Sequence, residues 1–136
     1  MKKFLIVGAG PVGLVAAIKL TARNHSVRIV DKRPERTHFS KAIAINPRTL
    51  QILDEFGISA EIVRQGVKVP NMNFRNSFGN INSIPFSAGP EVSYPFIVAN
   101  PQNITEKILE NKLNELGVEV EYSKEFEGFE ERGATV

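Results

Sequence analysis

The uncharged run from Phe4 to Ile18 changes character halfway along. Lys3-Phe4-Leu5-Ile6-Val7 is apolar over a strand's length, whereas Val12 to Ala22 is apolar at most positions over a helix's length. Ser26-Val27-Arg28-Ile29-Val30-Asp31 returns to strand composition, so the pattern predicts strand, helix, strand. A polar segment, Lys32 to Ser40, leads to a clearly punctuated helix. Asn46 caps it, Pro47 fits its first turn, Leu50, Ile52, Leu53 and Phe56 give it an apolar face, and Gly57 stops it. A shorter helix over about Ser59 to Gln65 follows.

The period then changes. Val67 to Val98 is rich in Pro, Gly, Asn and Ser, and its short apolar runs predict antiparallel strands around Met72 to Phe74, Ile81 to Phe86 and Tyr94 to Val98, with a turn near Gly79-Asn80. Asn100-Pro101 opens another helix, in which Ile104, Ile108, Leu109, Leu113 and Leu116 keep helical spacing and Gly117 closes the run. Val118 to Tyr122 alternates as a strand does. Phe126 to Glu131, a turn at Arg132-Gly133, and Ala134-Thr135-Val136 predict a hairpin whose second strand has barely begun. Such an ending is expected of a truncated chain, with a frayed tail as the other reading.

Between the first strand and the first helix stands Gly8-Ala9-Gly10-Pro11-Val12-Gly13. Gly8 allows a tight turn out of a buried strand, Gly10 lets backbone approach a pyrophosphate, and Gly13 lets the helix lie close to the sheet. The helix start aims its N–H groups and positive dipole end at the phosphates, and Pro11 suits a position with no intrahelical partner. Asp31 lies 18 residues beyond Gly13, at a strand end, where an acid accepts hydrogen bonds from an adenosine ribose. The fold class is therefore α/β, a Rossmann-like βαβ dinucleotide-binding fold with helices on a parallel sheet and a small antiparallel insertion. Residues 1–136 form one partial domain, with 1–66 and 99–136 supplying the α/β elements and 67–98 the β-rich insertion.

Composition narrows the partners. The absence of Cys removes disulfides, thiolate metal sites and a Cys nucleophile, and His25 and His38 have no carboxylate or histidine at metal-ligand spacing. Net charge is +2, and the one local cluster, Lys32, Arg33 and Arg36, suits surface solvation as well as any nucleic-acid role. Lys2-Lys3 before an apolar run imitates a secretory signal, but three glycines and a proline make it a poor apolar helix too short to span a bilayer. A cytoplasmic protein with no nucleic-acid or membrane partner is expected.

Three stretches together resemble the FAD-dependent aromatic hydroxylases, the single-component flavoprotein monooxygenases that include p-hydroxybenzoate and phenol hydroxylases. They are Ile6-Val7-Gly8-Ala9-Gly10-Pro11-Val12-Gly13-Leu14, then Lys41 through Leu53 with Phe56-Gly57-Ile58, and Pro101-Gln102 leading into Ile104 to Leu113. The second is the most specific, because generic dinucleotide folds lack it. The likeness spans nearly the whole chain, which corresponds to the N-terminal FAD-binding part of such a protein.

The resemblance implies FAD as cofactor, with NADPH or NADH as co-substrate of a complete enzyme that hydroxylates an aromatic or similar small organic substrate with O₂. It implies that Gly8, Gly10, Pro11, Val12 and Gly13 hold the pyrophosphate and Asp31 the ribose, with Lys32 and Arg33 on the adenine side. Lys41, where the family usually has Arg, keeps the charge without the planar fork, and contacts the cofactor beside the Ala42 backbone. Gln102 resembles the family glutamine that faces the ribityl or phosphate region; a solvated first-turn residue is its other reading. The family's Asp-Gly and later Gly-Asp motifs have no counterpart in these residues, so an inactive fragment is expected. The cofactor carries the chemistry, and no residue is assigned as acid, base or nucleophile. Two further readings stay open: an NAD(P)-binding oxidoreductase domain, with Lys32-Arg33 tolerating a 2′-phosphate, and a non-catalytic remnant forming homo-oligomers through open sheet edges.

Overall fold

The computed structural model describes residues 1–40, 42–79, 81–86, 93–130 and 133. Along the chain run β1 (Lys3–Val7), α1 (Pro11–Thr21), β2 (Ser26–Val30), β3 (Ala44–Ile45), α2 (Pro47–Asp54), α3 (Ser59–Gln65), β4 (Val67–Val69), β5 (Asn71–Arg75), β6 (Ile81–Pro85), β7 (Ile97–Ala99), α4 (Gln102–Glu115) and β8 (Val120–Glu121). They fall into two compact units, Met1–Arg36 with Glu110–Val136, and Thr37–Leu109, the division lying inside α4.

The first unit is a parallel sheet in the order β1-β2-β8. Lys3 pairs with Ser26 and Val7 with Val30, while Ile29 and Val30 pair with Val120 and Glu121. Parallel strands need a covering crossover, and α1 supplies it by burying Leu14, Ala17 and Ile18 over Ile29 and Val30. The predicted strands at β1 and β2 and the helix at α1 are therefore present to within a residue at each end. Arg28 and Glu121 bridge β2 and β8 through two bonds of 2.6 and 2.8 Å, but both are solvated, so the pair adds little stability.

The second unit holds an antiparallel sheet in the order β3-β7-β4 and a separate ribbon, β5-β6. Leu50, Leu53, Ile58, Ile62, Val98, Ile108 and Leu109 form its core. Asn46 caps α2 as expected, its side-chain oxygen accepting the Thr49 N–H at 2.8 Å. Asn46→Ala should therefore cost about 1 kcal/mol, read as a shift in the urea midpoint. Gly66 joins α3 to β4 where a Cβ would lie 2.3 Å from Val98 Cγ1 and 3.0 Å from the Ala99 carbonyl oxygen.

Several expected elements are shorter or differently placed. The strand expected at Tyr94 to Val98 is β7 at Ile97–Ala99, and that expected at Val118 to Tyr122 is only Val120–Glu121. Ala44 and Ile45 of β3 pair with Ala99 and Val98, so this sheet crosses the boundary that composition places between residues 66 and 67. Phe126 to Glu130 forms no strand, because no ladder partner lies beside it among the described residues. Asn80 of the first predicted turn, and Glu131, Arg132 and Ala134 to Val136 of the predicted hairpin, lie outside the described residues. Among the described residues no helix is long and apolar enough to cross a membrane, and no cluster of His, Asp and Glu suits a metal ion.

Candidate functional site

In the first unit the three glycines have different reasons to be glycine. Gly8 leaves β1 at φ +102°, a conformation that side chains resist, and its N–H donates to the Val30 carbonyl at 2.8 Å. A Cβ on Gly13 would stand 1.9 Å from the Gly8 carbonyl oxygen, so helix and turn can meet only if Gly13 has no side chain. Gly10 needs its smallness for neither reason. Its backbone is extended, at φ −77° and ψ 179°, and a Cβ there would meet nothing within 4 Å.

The space over Gly10 opens at the start of α1. Pro11 is the first helical residue, no side chain caps the helix, and its first turn carries no acid. Val12, 85% exposed, follows directly. Backbone N–H groups at the positive end of an uncapped helix, beside an open space that a side chain would fill, fit a pyrophosphate.

Asp31 is buried at the end of β2. One carboxylate oxygen accepts the Ala9 N–H and Arg33 Nη2, each at 2.8 Å; the other accepts the Arg33 backbone N–H and Nε, each at 2.9 Å. Arg33 first, with the backbone N–H groups, holds this carboxyl down to about 2 against the opposing effect of burial. Four donors fill about the whole acceptor capacity of a carboxylate. The acid that the sequence offers to a ribose is thus already tied to the glycine turn and to Arg33.

A cleft of about 390 Å³ opens between Val7-Gly8, Asp31 to Arg33, and Lys124 to Phe126. The last segment is one that sequence reasoning missed, because nothing in its composition marks it. It is held by the Lys124 N–H donating to the Asp31 carbonyl at 3.0 Å and the Ser123 N–H donating to the Arg33 carbonyl at 2.8 Å. Lys32 Nζ lies 3.6 Å from Glu125 and is well solvated.

The structure thus gathers Gly8, Gly10, Pro11, Val12, Gly13, Asp31, Lys32 and Arg33 in the first unit. Ala42 and Gln102 belong to the second, where the Gln102 N–H, at the start of α4, donates to the Ala42 carbonyl at 3.0 Å and to Ser40 Oγ at 3.1 Å. Gln102 Nε2 donates to Glu106 Oε1 at 2.8 Å. Glu106 was not singled out from the sequence, since an acid in a helix ordinarily reads as a solvated residue. Lys41 lies outside the described residues.

A parallel β–α–β unit with a glycine turn at the helix start and an acid at the second strand end is the arrangement of a dinucleotide-binding domain. Known proteins make that class more specific. The family described as FAD binding domain matches residues 1–136. A flavin-dependent monooxygenase of Mycobacteroides abscessus is 31% identical over 97% of this chain and 30% of its own length. Pentachlorophenol 4-monooxygenase of Sphingobium chlorophenolicum is 38% identical over 80% of this chain and 20% of its own. The crystal structure of p-nitrophenol 4-monooxygenase from Pseudomonas putida DLL-E4 superposes with a TM-score of 0.80 at 26% identity, over 90% of this chain and 33% of that one. The chain belongs to the FAD-dependent aromatic hydroxylase family, as its FAD-binding part, and its cofactor is FAD. It spans between a fifth and a third of the length of these relatives.

Proposed function

We propose that these residues form the Rossmann-like FAD-binding portion of an NAD(P)H-dependent flavoprotein monooxygenase that hydroxylates an aromatic or similar small organic compound. The observation that carries this reading is Gly10. Folding does not require a glycine there, yet the position keeps open the space at the uncapped start of α1. Gly8, Gly10, Pro11, Val12 and Gly13 hold the pyrophosphate, with main-chain N–H groups as the donors.

Asp31 receives the ribose hydroxyls, which requires the Arg33 guanidinium to release at least one of its two side-chain bonds to that carboxylate. Lys32 and Arg33 then border the adenine side, and Lys41, Ala42 and Gln102 serve the flavin side. When bound, the flavin supplies the redox chemistry; the chain's residues bind and orient it. Two of these relatives are named as monooxygenases of substituted phenols, and the same class of substrate is assigned to this protein.

Titration of the purified chain with FAD, followed by flavin fluorescence, tests the reading. Saturable binding and a yellow protein are expected, with no NAD(P)H oxidation when phenols are added to the 136 residues alone. Binding of NAD without FAD, or of neither, overturns it.

A further inference from the structure

We infer that Glu106 is a positioning residue, which fixes the side-chain amide of Gln102 so that its oxygen is presented to the cofactor. The inference rests on the reading in which Gln102 meets the flavin nucleotide, and it adds a residue and a polarity to that reading. Glu106 is fully buried, with 0% of its surface exposed. One carboxyl oxygen accepts from Gln102 Nε2 at 2.8 Å, and the other, Oε2, has no hydrogen-bond partner. Leaving such an atom buried and unsatisfied costs about 1–3 kcal/mol. An apolar residue at this position would continue the buried face of Ile108, Leu109 and Leu113 at no such cost. Packing therefore gives no reason for a carboxyl here.

Its geometry does. Residues four apart on a helix lie one above the other, with side chains leaning toward the N-terminus, so Glu106 stands behind Gln102 at the start of α4. Glu106 Oε1 accepts from Gln102 Nε2, so the carboxyl holds the NH₂ side of the Gln102 amide. The amide oxygen then faces the other way. Gln102's backbone N–H is already used by the Ala42 carbonyl and Ser40 Oγ, so its side-chain amide is the group it can offer a ligand.

An oxygen acceptor matches a hydroxyl donor and not an ionised phosphate oxygen, which also accepts. Glu106 thereby selects the ribityl hydroxyls over the pyrophosphate as Gln102's partner. Asn100, two residues before Gln102, is 1% exposed and has neither side-chain polar atom partnered. It is a second mark that this corner keeps polar groups for a function other than packing.

A double-mutant cycle on FAD affinity tests this, using Glu106→Gln and Gln102→Ala singly and together, with the melting temperature of each. A Gln at 106 can offer its own NH₂ and so lets the Gln102 amide turn over. Glu106→Gln should weaken FAD about tenfold, the value of one hydrogen bond lost to a mismatch, without lowering the melting temperature. In the Gln102→Ala background it should cause no further loss. Glu106→Met should hold or raise the melting temperature and still weaken FAD. ADP, which has phosphates and no ribityl chain, should bind all these variants equally.

A loss from Glu106→Gln that persists in the Gln102→Ala background, or an equal loss for ADP, overturns the inference alone. A fall in melting temperature with Glu106→Met also overturns it, as the mark of a structural carboxyl. Gln102→Ala without effect on FAD sinks the reading of Gln102 itself, and the inference with it.

Discussion

Gly13→Ala is expected to lose about 3 kcal/mol of stability together with FAD binding, whereas Gly10→Ala keeps its stability and loses only the binding. In an ordinary helix the first change would stabilise, since alanine is the better helix former by up to about 1 kcal/mol. Here the added Cβ would stand 1.9 Å from the Gly8 carbonyl oxygen, and 3.1 Å from the carbon that bears it. That atom cannot swing aside as a side chain would. Gly8 is fixed by its own N–H bond to Val30 and by a φ of +102°, so α1 must lift from the sheet. At Gly10 the same methyl enters open space on a backbone that accepts any residue. It would meet only a ligand lying there, and an overlap of roughly 3 kcal/mol corresponds to about a hundredfold in FAD affinity. Urea denaturation and FAD titration of both variants separate the two effects. A Gly10→Ala chain that binds FAD normally removes the pyrophosphate from this place.

The difference between these glycines shows where the sequence was legible. Their spacing was enough to predict the turn, because each acts on the backbone within a few residues of itself. The same locality made β1, α1, β2 and α3 readable, as well as the Asn46 cap on α2. In the sheet β3-β7-β4, β3 and β4 were not, because they are two and three residues long and owe their existence to pairing with β7 far along the chain: Ala44 pairs with Ala99. No periodicity shows in two residues. Phe126 to Glu130 differs in the opposite direction, its composition suiting a strand although no ladder pairs with it among the described residues. At the site, Asp31 could be picked out by its distance from Gly13. That its acceptor capacity is filled by Ala9 and Arg33 arises only when the turn folds back over the strand end. Glu106 was silent because burial, which gives it meaning, is not a property of a helical acid's neighbours in sequence.

Asp31→Ala should lower stability by about 3 kcal/mol, since it leaves the buried Ala9 N–H without its acceptor and removes the carboxylate that accepts three bonds from Arg33. Asp31→Asn should recover only part, because an amide has one oxygen for four donors and must turn its NH₂ toward some of them. The acid limb of the stability profile is a sharper test. The carboxyl is held down to about 2 in the folded chain, from an ordinary value of 3.8, so the unfolded chain takes up its proton first as pH falls. The stabilisation is complete above about pH 5, and is lost as pH falls through 3.8 toward about 2. With a depression of nearly two units and a guanidinium one-third exposed, it amounts to about 2 kcal/mol. Glu61, which Arg64 and Gln65 also hold to about 2, titrates in the same window but is solvated, so high salt suppresses its share. Urea midpoints between pH 6 and 2 in 1 M salt should therefore fall more steeply for the wild type than for Asp31→Ala. Parallel profiles would mean that the carboxylate is not tied to the turn. If Asp31 receives the ribose as proposed, FAD should stabilise Asp31→Ala less than it stabilises the wild type.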